Sequence, residues 1–177
     1  MKKFMWVALA AALFVIPSHA QSVTPAADVS AGYSYLRVGG SNGVNMNGGT
    51  GAVTFNANNW LGLAADFGFY HASPAGVGVS ASTYQFGPHI SYRASGKIVP
   101  FGEALFGGSH LSASFGGATA SSNPFAYTMG GGADLQLGAS DKWSLRPEFA
   151  YVGMRENGAT ENCMRISVGI VFHLGQK

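Results

Sequence analysis

Between Trp143 and Gly153 the chain changes character at every step. Trp143, Leu145, Pro147, Phe149 and Tyr151 are large and apolar, while the intervening Ser144, Arg146, Glu148 and Ala150 are small or charged. A strand turns successive side chains to opposite faces, so a period of two gives one oily face and one polar face. The same alternation recurs along the chain, which leaves few folds open. The oily faces must meet either a second oily sheet or a membrane. Composition points away from helices and from disorder. Of 177 residues, 26 are Gly, 12% are aromatic and only 10% are charged. Gly interrupts helices, and a disordered chain carries few aromatics and a high net charge.

Eight segments carry the pattern: 28–37, 48–57, 60–71, 82–93, 98–109, 124–137, 143–155 and 163–174. The clearest is the fourth, where Tyr84, Phe86, Pro88, Ile90 and Tyr92 alternate with Thr83, Gln85, Gly87, His89 and Ser91. In the fifth, placing Glu103 on the polar face also puts Val99, Phe101 and Leu105 there. The links between segments read as alternately long and short. The long ones are Val38–Asn47, Ala72–Ala81, His110–Asn123 and Glu156–Asn162; the short ones are Asn58–Asn59, Ala94–Lys97 and Gly138–Lys142.

Met1 to Ala20 has the form of a secretory leader: Lys2 and Lys3, an apolar run from Phe4 to Ile16, Pro17, then Ser18-His19-Ala20 at a cleavage site. The expected organisation is therefore a signal peptide over residues 1–20 and one domain over 21–177. The apolar run is shorter than the ~20 residues of a spanning helix. Removal of Lys2 and Lys3 reduces ten basic residues to eight, against eight acidic ones. With no basic stripe, nucleic acid is not an expected partner. Cys163 is the only cysteine and reads as a small buried or interfacial residue rather than a nucleophile. His71, His89, His110 and His173 lack metal-ligand spacing, so no metal or other cofactor is expected.

An exported chain without a spanning helix can still cross a membrane as a closed sheet, which satisfies every backbone group. Strands of this length, rising ~3.3 Å per residue and tilted ~40°, cover an apolar band of about 25 Å. The expected fold is all-β, an eight-stranded antiparallel up-and-down transmembrane β-barrel. Asp66, Glu103, Asp134, Arg146, Glu148 and Arg165 lie mid-strand on the polar faces. A midplane Arg facing lipid costs roughly 2–4 kcal/mol, so these six are expected to form a charge network inside the barrel. Four acids against two bases leave His89, water or a held proton to restore the balance. Trp60 and Trp143 each follow a short turn and are expected in an aromatic girdle at that membrane surface. Tyr33, Tyr35, Tyr70, Tyr127 and Tyr151 are candidates for the opposite girdle.

The segments Val53–Tyr70, Leu145–Arg155 and Arg165–Leu174, with the leader, resemble the small outer-membrane barrels grouped as OmpA-like or OmpX-like β-barrel domains. The resemblance spans Ala26 to Leu174. It implies the cell outer membrane as location, and outer-membrane lipid and the barrel-assembly machinery as partners. Short turns and both termini would lie in the periplasm, with the long loops outside the cell. The family's last strand usually ends in an aromatic residue, whereas here Phe172 is followed by His173 and Leu174. The peptidoglycan-anchoring role of larger OmpA-type proteins is not implied. The expected function is non-enzymatic, with envelope integrity or surface contact made through the loops to an unassigned partner. Two alternatives stand beside it. One is a lipid-modifying outer-membrane enzyme using Ser109 and His110, or His71 and Ser73. The other is a soluble lipocalin-like barrel, which needs apolar residues inside and charges outside.

Overall fold

The chain is described by a computed structural model over residues 24–39, 43–93, 96–138, 142–156 and 158–175. Residues 1–20, expected to be a leader, lie outside the described residues. The strands are β1 (Ala27–Val38), β2 (Val44–Asn56), β3 (Leu61–Ala72), β4 (Gly78–Ser91), β5 (Ile98–Phe115), β6 (Ala118–Ser122), β7 (Phe125–Gln136), β8 (Trp143–Glu156) and β9 (Ala159–Leu174). A 3₁₀ turn, Pro74–Gly76, precedes β4. Every pairing is antiparallel. Neighbours in sequence pair in turn except β6 and β7, β1 also pairs with β9, and β5 pairs with both β4 and β7. The ring therefore closes through eight strands, and β6 stands outside it, paired only with the end of β5. Closure removes the sheet edges that an open sheet would expose.

The closing seam runs from Ala27↔Leu174 to Val38↔Cys163. Both ends of the described chain lie at the same barrel end as residues 57–60, 92–93, 96–97, 137–138 and 142. This end is called the turn end, and the opposite one the arm end. At the first turn the Asn58 side chain accepts hydrogen bonds from the backbone N–H groups of Trp60 and Leu61, at 3.0 and 2.8 Å. Asn suits such a turn because its side chain bonds locally to the backbone.

Link lengths differ from the expected alternation. Residues assigned to long loops are mostly paired strand: β1 runs to Val38 and β2 begins at Val44, β3 runs to Ala72 and β4 begins at Gly78, and β8 runs to Glu156 and β9 begins at Ala159. Segment 110–123 is not a loop. It is the β5–β6 hairpin, an arm whose β5 side pairs with β4 and whose tip, Gly116-Gly117, has φ of +57° and +86°. Two positive φ values suit the tight turn that matches strand twist. The reason for the misreading is physical. Beyond the apolar band both faces can carry Ser, Asn or Gly, so the alternation fades while the hydrogen-bonded ladder continues.

Sidedness follows the parity of each strand. Tyr33, Phe55, Leu63, Phe67, Phe69, Tyr84, Phe86, Ile90, Phe149 and Ile166 are exposed on the outer surface. Asp28, Asp66, Gln85, His89, Asp134, Arg146 and Arg165 are buried in the lumen. This is the inverse of a lipocalin-like barrel, so the soluble alternative does not hold. In β5, Phe101 and Leu105 are buried on the same face as Glu103. Tyr70 departs from its expected girdle place: its even position turns it inward, where it is 4% exposed.

Candidate functional site: the barrel lumen and the arm-end rim

The lumen is filled in three layers. At the turn end Asp28 gathers residues from around the wall. Its Oδ1 accepts from His173 Nδ1 at 2.6 Å, and its Oδ2 accepts from Asn56 Nδ2 at 2.8 Å and from Arg93 Nη2 at 3.2 Å. An ionised carboxylate only accepts, so Nδ1 of His173 is the donor and a neutral ring presents Nε2 as acceptor. Ser144 Oγ lies 2.8 Å from that Nε2. Burial presses the Arg93 guanidinium below its ordinary value, and Asp28 opposes the shift. Ser, His and Asp thus form a chain of hydrogen bonds of the kind that activates a nucleophile. Ser144 is fully buried, however, so no substrate carbonyl can reach its oxygen. The array ties β1, β2, β8 and β9 together beside the closing seam.

The middle layer contains the six charged residues singled out from the sequence. Arg165 donates to Asp66 at 2.8 Å and to Glu148 at 2.7 Å, and its Nη2 lies 3.5 Å from Glu103. Glu103 also contacts His89 Nδ1 at 3.3 Å. Arg146 forms a two-pronged pair with Asp134, 2.6 Å from Nε and 2.8 Å from Nη2. The fork of a guanidinium matches a carboxylate in this way. Phe101 joins the two groups, with the His89 ring stacked 4.7 Å away and the Arg146 guanidinium 4.7 Å from the ring centre. A cavity of about 20 Å³ lies between Ser30, Thr50, Asp66, Glu103, Glu148 and Ser167, which is room for one water. Glu103 Oε1 and Arg165 Nε have no hydrogen-bond partner among the described residues.

The third layer, toward the arm end, is apolar. Leu36, Met46, Tyr70, Ala81, Ala126, Val152, Met154 and Cys163 pack together, with Val38, Val44, Ala72, Val79 and Leu111 against them. Full burial of a Val, Leu or Met side chain contributes about 1.5–3 kcal/mol. Sequence reasoning missed this plug. Its signal was present: Val152 and Met154 continue the even face of β8 that carries Arg146 and Glu148.

On the outside, Trp60 and Trp143 both lie exposed at the turn end, and Trp143 packs against Phe172 at 4.6 Å. At the arm end Tyr33 donates to Asn47 at 2.6 Å, and Tyr151 donates to Asn162. The two Ser/His pairs considered for catalysis behave differently. Ser109 is buried in the lumen, whereas His110 on the next position faces out and bonds Asn123 at 2.7 Å. Neighbours on one strand cannot meet across its wall. His71 does meet Ser73 at 3.2 Å, and its other nitrogen lies 3.1 Å from Ser80.

Solved structures share this architecture at low identity. Neisserial surface protein A has a TM-score of 0.72 at 12% identity, covering 87% of this chain and 100% of that one. The attachment invasion locus protein Ail of Yersinia pestis has 0.58 at 14%, covering 84% and 99%. The N-terminal β-barrel domain of Pseudomonas aeruginosa OprF has 0.55 at 14%, covering 85% and 100%. At such identities the likeness concerns the fold. No curated protein matches the sequence. The family model for the outer membrane protein beta-barrel domain matches residues 6–173, and the chain, a closed barrel of the outer membrane, belongs to that family.

Proposed function

We propose that this chain is a non-enzymatic surface barrel. Residues 1–20 serve as a removable leader, the arm end faces the exterior, and the strand extensions there make the contacts. The observation that carries this reading is the filled lumen. Ion pairs occupy its turn end and middle and an apolar plug its arm end, which leaves little room for solute passage or an internal substrate site. The six charged residues then act as a structural network. Trp60 and Trp143 anchor the turn end at the membrane–water boundary. Outer-membrane lipid surrounds the wall, and the barrel-assembly machinery inserts it.

The β5–β6 arm is the contact element best supported by its shape. Its β6 strand lies outside the ring, paired only with β5, and Phe115 stands beside its turn, 67% exposed. Ail has been crystallised with the heparin analogue sucrose octasulfate. Among the described arm-end residues here, Arg37 and Arg155 are offset by Glu156 and Glu161, so a polyanion is not the favoured partner.

The test uses cells displaying the whole chain or a version in which residues 111–122 are replaced by a tight turn. Both should give a barrel that resists SDS unheated. The arm-shortened cells should adhere less to one another and to epithelial monolayers. Equal adherence would remove the contact role, and a change in lipid A on overproduction would remove the non-enzymatic one.

A further inference from the structure

Aromatic rings mark the level at which the outer wall passes from apolar to polar toward the arm end. Tyr33 on β1, Tyr84 on β4, Tyr127 on β7 and Tyr151 on β8 occupy outward positions there, and Tyr127 and Tyr151 pack at 6.0 Å. Aromatic side chains with a polar tip suit that boundary. One sector is different. Ser82 stands opposite Phe69 in register and Ser80 lies nearer the arm end, and a recess of about 330 Å³ opens between Phe69, Tyr70, Ser80, Ala81, Ser82 and His110. Tyr84 does not fill it, because its ring lies across Gly108 on β5.

The recess borders two kinds of surface. Phe69 lines its turn-end side, and beyond the lining the exposed rings of Phe67, Phe86 and Phe106 continue toward the turn end, with Phe67 and Phe86 edge to face at 6.1 Å. Toward the arm end lie hydroxyls and imidazoles. His110 is held by the Asn123 oxygen at 2.7 Å; that oxygen accepts, so Nδ1 donates and a neutral ring leaves Nε2 as an acceptor. Ser80 is held by His71 at 3.1 Å. No Lys or Arg occurs on β3, on β4 or on β5, so the recess offers neutral hydrogen-bonding groups rather than an anion site.

We propose that this recess binds one glycolipid of the outer leaflet, with an acyl chain along Phe69 and headgroup hydroxyl or amide groups on Ser82 and His110. The lipid-facing wall and the level of the recess select an amphiphile. The neutral donors and acceptors select a sugar headgroup over a phosphate-only one. The inference goes beyond the contact role of the arm and requires only that the arm end face the outer leaflet.

The full chain is reconstituted in nanodiscs containing rough lipopolysaccharide and phosphatidylethanolamine, extracted gently into detergent, and its retained lipid read by native mass spectrometry. The expected result is one retained lipopolysaccharide. Ser82→Phe fills the recess and should lower retention about tenfold, a difference of about 1.4 kcal/mol. Met164→Phe, on the outer face of β9, should leave it unchanged. His110→Ala keeps the cavity open and should lower lipopolysaccharide retention relative to phosphatidylethanolamine, which serves if Ser82→Phe does not fold. Equal retention by Ser82→Phe and the unaltered chain, equal retention of both lipids, or no loss with His110→Ala would overturn the proposal.

Discussion

Arg165 stands among three carboxylates from three strands: Asp66 on β3, Glu103 on β5 and Glu148 on β8. It is 2% exposed, so these charges meet with little solvent between them. Removing one partner of a buried ionic group costs about 3–5 kcal/mol, because the others are left uncompensated. Arg165→Met should lower stability by that amount, read as a shift in the urea midpoint of the barrel in lipid vesicles. A loss below ~1 kcal/mol, the range of exposed pairs, would mean that the lumen is wet. His173→Ala leaves Asp28 and Ser144 each short of one partner, so ~1–3 kcal/mol should be lost in the same assay. The middle-layer charges were legible because parity alone places them inside. The turn-end group was not. Asp28 and His173 are 145 residues apart and read as strand-end residues until β1 and β9 are brought into register.

At the scale of the strands, small and large residues alternate across the lumen wall, and the fit is close. A Cβ added at Gly68 would lie 2.6 Å from Thr83 Oγ1 and 2.7 Å from the Tyr70 ring. Gly68→Val should therefore cost about 1–3 kcal/mol through overpacking, whereas Gly76, with open space around it, gives no such clash on Gly76→Ala beyond the strain of its φ of +80°. Leu36→Ala, in the arm-end plug, should cost about 2–5 kcal/mol by leaving a cavity. Denaturation of each variant in the same vesicles checks both; a Gly68→Val barrel as stable as the original would contradict the packing described. The cores of all eight wall strands could be read from their alternation. Their arm-end limits could not, since Asn45, Asn47, Ser80, Ser112 and Thr160 carry no periodic signal where the wall leaves the apolar band. Backbone pairing there is imposed by the neighbouring strand, which a local reading cannot supply.

For the whole molecule, closure of β1 on β9 satisfies the backbone, ion pairs and an apolar cluster fill the described lumen, and large apolar side chains are exposed on the outside. Planar bilayers containing the purified chain should accordingly show no sustained large conductance. Export, assembly and partner choice are properties of segments and surfaces that the wall pattern does not encode, which is why the fold was more legible than the role. The most direct test of the account is a cysteine scan of β9 in a Cys163→Ser background. Single cysteines replace Met164, Arg165, Ile166, Ser167, Val168, Gly169 and Ile170 in turn, each carrying a fluorophore, in bilayers of brominated lipid. Quenching should be strong at Met164, Ile166, Val168 and Ile170 and weak at the three residues between them. Uniform quenching, or strong quenching at Arg165, Ser167 and Gly169 instead, would contradict a barrel with hydrocarbon outside and charge within.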